Sequence, residues 1–192
     1  GISLLKNKKF FKFKKKIITD IDLLYLSNKD LKSIVITGTN GKSTTCKLIA
    51  HLLKKNKIKY SLGGNIGTPI LDIKNSNNKL IIIEASSFQL SHSKFIRPNF
   101  ALFLNLSNDH LDWHGNKKDY LNSKLKIFQH QGKNHYAIIN KEFKKIFKRK
   151  GFLSKLTLPA EKEYKKIKNE IKNDYLESNI NDENMSFVYS FA

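Results

Sequence analysis

Gly38, Thr39, Asn40, Gly41, Lys42, Ser43 and Thr44 bring together, in seven consecutive positions, the groups that hold a phosphate. The two glycines remove Cβ atoms that would keep an anion away from backbone N–H groups, Lys42 supplies a positive charge, and Ser43 carries a hydroxyl able to ligate Mg2+. Ile34, Val35, Ile36 and Thr37 before them read as a buried parallel strand, and a helical pattern over 42–56 follows. Strand, glycine loop and helix in that order make an anion site, because the first N–H groups of a helix have no partner within it. The strict phosphate-loop spacing asks for another glycine where Ile36 stands, so this is a variant of the pattern. The plainer alternative is a glycine turn that only links strand to helix.

Three more polar groups follow apolar runs. A strand over 58–62 stops in Gly63, Gly64, Asn65, Ile66, Gly67, Thr68 and Pro69, a loop whose backbone something must approach closely. The strand over 80–83 is the most apolar run in the chain and ends at Glu84, with Ala85, Ser86, Ser87, Phe88, Gln89 and Leu90 opening a helix. A carboxylate at the C-terminal end of a buried parallel strand lies where open α/β sheets place their ligands. The alternative is that Glu84 is solvated and Ser86 merely caps the helix. A strand over 100–106 leads into Asn108, Asp109, His110, Leu111, Asp112, Trp113, His114 and Gly115. In the next helix, over 117–128, Lys124 falls on the apolar stripe of Leu121, Leu125 and Phe128. Burying an ammonium is costly, so Lys124 either snorkels to the surface or does chemistry.

The elements that must position these residues alternate between strand and helix. A fifth strand over 136–139, a basic helix over 141–150, a weaker helical pattern over 161–176 and a closing helix from Asp182 complete the series, with no internal repeat. The alternation predicts an α/β fold, a doubly wound, mostly parallel sheet with a phosphate loop. In such a sheet the segments 38–44, 63–69, 84–89 and 107–115 share one edge. Residues 1–32 read as the end of a preceding domain plus a linker, and 33–192 as a nucleotide-binding domain.

Composition narrows the function classes. Of 192 residues, 36 are basic and 16 acidic, a net charge of +20, but the lysines are scattered where a nucleic-acid footprint would be clustered. The expectation is therefore no dedicated nucleic-acid binding; a basic phosphate-loop protein that does bind nucleic acid is the alternative from another class. The lone Cys46 excludes an intrachain disulfide, fits a reducing compartment such as the cytoplasm, and reads as a packing residue. No apolar run approaches the ~18 residues of a membrane span.

Taken together, these segments resemble the Mur ligases, the ATP-dependent amino-acid-adding enzymes of peptidoglycan precursor synthesis. The variant loop from Thr37 to Thr44 is similar to that family's own form. Residues 63–69 and 84–90 resemble the member that joins D-glutamate to UDP-N-acetylmuramoyl-L-alanine, with Ala85 where leucine is usual. Residues 108–115, with Tyr120, Lys124, Ile127 and Phe128, are similar to the family's metal and lysine segment, with Trp113 where arginine is common. Near the end, Leu176, Asn181 and Asn184 match a pattern whose glycine and histidine are replaced here by Ser178 and Ile180.

The resemblance implies ATP and Mg2+ as cofactors and transfer of the γ-phosphoryl group to a carboxylate, giving an acyl phosphate that an amine attacks. It implies that residues 38–44 hold the phosphates, that Ser43 and Glu84 ligate one Mg2+ and His110 a second, and that Lys124 acts as a carbamate. Lys42, His110 and Lys124 would be the catalytic residues, Asn181 and Asn184 would lie near the adenine, and Asn65, Ser86, Ser87 and Gln89 would contact substrate. A central-domain piece without the C-terminal domain, monomeric and inactive in ligation on its own, is expected. Another ligase of this family, or a folylpolyglutamate-type one, is the nearest alternative.

Overall fold

The computed structural model describes residues 8–73 and 79–192; the apolar group at residues 2–5 lies outside them. Two short elements, α1 (Lys8–Phe11) and α2 (Asp20–Ser27), precede β1 (Ser33–Thr37), α3 (Lys42–Lys55) and β2 (Tyr60–Gly64). Then come β3 (Leu80–Glu84), α4 (Ser87–His92), β4 (Phe100–Phe103), α5 (Leu111–His114) and α6 (Lys117–Leu125). The chain ends with β5 (Tyr136–Ile139), α7 (Lys144–Arg149), β6 (Lys155–Thr157), α8 (Glu161–Ile167), α9 (Asp174–Glu177) and α10 (Asp182–Phe191).

Six strands form one sheet in the order β2-β3-β1-β4-β5-β6, and every pairing is parallel. The chain winds from β1 through β2 and β3 on one side, then returns to β4, β5 and β6 on the other. Such a reversal of strand order opens a crevice at the C-terminal ends of the central strands. Alternate residues of each strand face opposite sides. Val35, Ile81, Ile83, Ala101 and Phe103 join a core with Leu90, Leu125 and Phe128, while Ile34, Ile36, Ile82 and Leu102 join one with Cys46, Ile49, Leu53 and Phe187. Thus α3 and α10 cover one face and α4 and α6 the other.

Residues 20–31 pack into the same fold. Ile21, Leu24 and Leu31 are buried beside Ile70 and Ile73. The fully buried Asp22 carboxylate accepts from Ser93 Oγ (2.7 Å), Lys94 N (2.8 Å), Phe95 N (2.9 Å) and Thr19 N (3.0 Å).

The observed elements differ from the sequence reading in four places. β2 lies two residues past the expected 58–62, so that Gly63 and Gly64 pair with Ile83 and Glu84 in the sheet instead of opening the loop. β4 ends at Phe103, before the expected 106, which moves Asn105 from a strand to the loop edge. The helix expected over 161–176 breaks, since Ile171 is extended and Asn173 caps α9 with its own side chain. The short edge strand β6 carries no apolar run, with only Leu156 half-buried, and was invisible to periodicity. Among the described residues no helix is long and apolar enough to cross a membrane.

Candidate functional site

The loop after β1 is held in shape by its neighbours. Gly41 caps α3 with φ +79°, a left-handed conformation that favours glycine, and a Cβ there would lie 2.0 Å from Asn184 Oδ1. No backbone carbonyl of the described residues takes the N–H of Lys42, Ser43 or Thr44, and the first α3 bond runs from Thr45 N to Gly41 O (2.9 Å). Three amides at the positive end of a 14-residue helix are therefore left for an anion, while the Lys42 ammonium donates to the loop's own Gly38 O and Thr39 O.

Glu84 ties this loop to the next one. Its carboxylate is 1% exposed and accepts from Ser43 Oγ (2.8 Å) and Asn65 Nδ2 (3.0 Å). Asn65 is brought there by Gly64, whose φ of +111° lets the Asn65 N–H reach Glu84 O at 2.9 Å; a Cβ on Gly64 would sit 2.3 Å from that oxygen. Glu84 is thus not solvated, while Ser86 does cap α4: its hydroxyl accepts from Gln89 N, and Gln89 Oε1 accepts from Ser86 N.

Lys124 does not snorkel. It is 1% exposed, and its Nζ donates to Gly38 O (2.7 Å) while lying 4.7 Å from the centre of the Tyr120 ring. Lys42 Nζ donates to the same carbonyl (3.0 Å) and to Thr39 O (2.7 Å). Burial, then the nearby Lys42 charge, pulls the Lys124 pKa down to about 7, against a small opposing pull from Asp109. Burial also lowers Lys42, with Glu84 and Asp109 working the other way.

The segment after β4 supplies His110 and His114. His110, with φ +51°, opens α5; it is half-exposed, 3.3 Å from Asp109 Oδ2, and its ring lies 4.8 Å from that of Phe88. His114 is buried, and its Nε2 meets Ser87 Oγ at 3.0 Å. Burial and the Lys124 and His110 charges pull His114 down to about 4, so the ring is neutral at pH 7. Trp113 packs against the rings of Phe88, His92 and His114, filling an aromatic cluster where an arginine was the family expectation.

Of the four expected substrate contacts, Asn65, Ser86 and Gln89 line a cavity of about 540 Å3 together with Phe13, Ile18 and Phe88. Ser87 does not line it; it is buried against His114. Gln89 Nε2 also donates to Asp20 Oδ2 (3.1 Å), joining the cavity wall to α2. A second cavity, of about 610 Å3, opens between Thr44 and His51 of α3 and Tyr175 and Leu176 of α9. Asn181 and Asn184, expected near the adenine, do not line it; both are buried, with Asn184 Nδ2 donating to Asn181 Oδ1 (3.2 Å) and Asn181 Nδ2 to Tyr175 O (2.6 Å). Ser178 has an ordinary extended backbone (φ −62°), so no glycine is needed there, and Ile180 is 87% exposed.

The metal chemistry is consistent with Mg2+. Among the described residues no three His, Cys, Asp or Glu side chains gather into a cage, but Ser43 and Glu84 present paired oxygen donors beside the anion spot. Magnesium is bound through one or two protein oxygens plus phosphates and retained waters, which this pair fits.

Two residues at this edge escaped the sequence reading. Asn105 Oδ1 accepts from the backbone of Thr39 and Asn40, and Glu183 accepts from Asn105 and Asn140. The available signal for Asn105 was a polar residue interrupting an apolar strand.

Comparison with known proteins adds an independent view. Residues 36–189 match the model of the Mur ligase middle domain. Over 124 residues the chain is 48% identical to the UDP-N-acetylmuramoylalanine--D-glutamate ligase of Rickettsia prowazekii (strain Madrid E), covering 65% of this chain and 28% of that protein. The protein of the same name from Hydrogenobaculum sp. (strain Y04AAS1) is 43% identical over 134 residues, covering 69% of this chain and 31% of that one. The chain thus spans less than a third of the length of these relatives. Among solved structures, the MurF ligase of Thermotoga maritima in complex with ADP superposes with a TM-score of 0.53 at 24% identity, covering 72% of this chain and 35% of that one. UDP-N-acetylmuramoyl-L-alanyl-D-glutamate--2,6-diaminopimelate ligase does so with a TM-score of 0.55 at 25% identity, covering 72% and 34%.

Proposed function

This chain belongs to the Mur ligase family through its middle domain, and from that premise we propose that it forms the ATP-binding part of a ligase joining D-glutamate to UDP-N-acetylmuramoyl-L-alanine in peptidoglycan precursor synthesis. The observation that carries this reading is the Glu84 carboxylate shared by Ser43 and Asn65, which couples the phosphate loop to the loop that names the D-glutamate member.

In the proposed reaction the Lys42 ammonium and the amides of residues 41–44 hold the β- and γ-phosphates of ATP. The nucleoside end lies in the cavity between α3 and Tyr175, where Asn173 and Tyr175 line the wall. Asn65, Ser86 and Gln89 orient the muramoyl-alanine end so that its carboxylate oxygen meets the γ-phosphorus in line. Mg2+, when bound, would supply charge neutralisation on the phosphate oxygens, held by Ser43 and Glu84, with a second ion near His110. The neutral Lys124 amine, available because its pKa is near 7, would take up CO2 with loss of a proton, turning a cation into an anionic carbamate. D-glutamate then attacks the acyl phosphate through its amine and displaces phosphate. A reaction fed by ATP and a nucleotide-linked sugar belongs in the cytoplasm.

The test is amide formation from UDP-N-acetylmuramoyl-L-alanine, D-glutamate and Mg-ATP. The 192-residue chain alone is expected to bind nucleotide without completing ligation, and joined to the flanking regions of its relatives it is expected to add D-glutamate but not L-amino acids. Full turnover by the chain alone, or a preference for an L-amino acid, contradicts the proposal.

A further inference from the structure

We propose that Asn105 and Glu183 are positioning residues that preset the shape of the phosphate loop from outside the site. This rests on the reading that residues 38–44 hold nucleotide phosphates. Asn105 stands just past β4, where Leu104 N still bonds Thr37 O (3.0 Å). Its side-chain Oδ1 accepts from Thr39 N (3.1 Å) and Asn40 N (2.9 Å), and its own carbonyl also takes Thr39 N (3.0 Å). Its Nδ2 donates to Glu183 Oε2 (2.8 Å), while Glu183 Oε1 accepts from Asn140 Nδ2 (2.9 Å).

An asparagine amide has a donor end and an acceptor end, and only one orientation satisfies both neighbours here. Flipped, its NH2 would face two N–H groups and its oxygen a carboxylate, leaving these polar groups unpaired at a part-buried site. Glu183, a pure acceptor when ionised, therefore dictates which way Asn105 points. The consequence falls on the loop: the Thr39 and Asn40 amides are turned toward β4, and the unbonded amides that remain are those at the start of α3. α10 thus sets loop geometry at two points, through Glu183 on Asn105 and through Asn184 against Gly41. A loop held this way binds without first losing backbone freedom.

Hydrogen-bond polarity provides the test. In N105D two carboxylates face each other; in E183Q the remaining oxygen can still accept from Asn105, with the NH2 turned toward Asn140, so the Asn105 orientation is kept. In N105D/E183Q every donor again meets an acceptor, since the amide introduced at position 183 can donate to the carboxylate introduced at position 105 and accept from Asn140. Titration calorimetry of the 192-residue chain with Mg-ATP and with AMP, alongside melting temperatures, separates the outcomes. N105D is expected to weaken Mg-ATP about tenfold and AMP far less, E183Q to change the ratio little, and the double variant to restore the wild-type ATP-to-AMP ratio. A merely structural pair would lower melting temperature and leave that ratio unchanged. If N105D fails to fold, N105L, which removes the acceptor of Thr39 N and Asn40 N, takes its place. A wild-type ratio in the Asn105 variant, or a double variant as weak as that single variant, overturns the proposal. Failure of the wild-type chain to bind Mg-ATP refutes the nucleotide reading itself.

Discussion

The ammonium groups of Lys42 and Lys124 converge on one oxygen: Gly38 O accepts from Lys42 Nζ at 3.0 Å and from Lys124 Nζ at 2.7 Å. Burial lowers the pKa of both lysines, and at Lys124 the neighbouring Lys42 charge lowers it further. An anionic phosphate at the loop, as proposed, would offset both positive charges.

The first prediction concerns the cost of burying Lys124. Its folded pKa of about 7 lies below the ordinary lysine value of 10.5, so between those two pH values the unfolded chain binds more protons and stability rises with pH. Replacing it by methionine removes the buried charge while keeping volume. Lys124→Met is expected to raise the melting temperature at pH 6 by about 3–6 °C, and the gain should shrink as pH climbs from 7 toward 10. A lowered melting temperature at pH 6 would show that the bond to Gly38 outweighs desolvation.

A second prediction follows from the same amine. At pH 8 most of Lys124 is neutral, whereas an exposed lysine is almost wholly protonated. With 13C-labelled bicarbonate, a carbamate resonance should appear on the wild-type chain and vanish in Lys124→Met. It should fade as pH drops below 7. A signal unchanged by the substitution places the carbamate elsewhere.

Asp22 is expected to set the acid limit of the fold. Burial pushes its carboxyl pKa up, but the bonds from Phe95 N, Ser93 Oγ, Lys94 N and Thr19 N more than offset this, so it titrates below the ordinary value of 3.8. The stability it contributes is present above the unfolded pKa and is lost as pH falls through the lowered folded one. Asp22→Asn would turn an NH2 toward groups that all donate, whichever way the amide points, costing about 1–3 kcal/mol in urea unfolding at pH 7. It should also flatten the stability curve below pH 4.

A substitution at Glu84 is expected to separate metal-dependent from metal-independent nucleotide binding. Glu84→Gln keeps the shape and one acceptor for Ser43 or Asn65 but removes the negative charge. ATP binding in EDTA is expected to change less than about threefold, while the tightening produced by Mg2+ is expected to fall by about tenfold. Equal losses with and without Mg2+ would mean that Glu84 serves only to hold the two loops together.

Much of this arrangement was legible in the residues. The strand before Gly38 announced itself because Ile34, Val35 and Ile36 are buried on both faces, and Lys124 stood out because a charge on an apolar stripe must be accounted for. Glu84 was visible as a carboxylate closing the most apolar strand, but its partners were not, since hydrogen bonds to Ser43 and Asn65 join residues 41 and 19 positions apart. Asn105 was hidden for the opposite reason: local apolar pattern carried the strand past it, and its role depends on Glu183, 78 positions away. The region 150–180 was least readable, because short elements such as β6 and α9 offer too few residues for a period to show.

The proposed function requires that the loop at 38–44, backed by Lys42 and Lys124, be a Mg-ATP phosphate site. Titration calorimetry of the 192-residue chain with ATP tests it most directly, comparing wild type with Lys42→Ala at matched melting temperature. The prediction is saturable one-to-one binding that strengthens with Mg2+ and is lost in Lys42→Ala. Binding that is absent from the wild type, or that survives unchanged in Lys42→Ala, would contradict the claim.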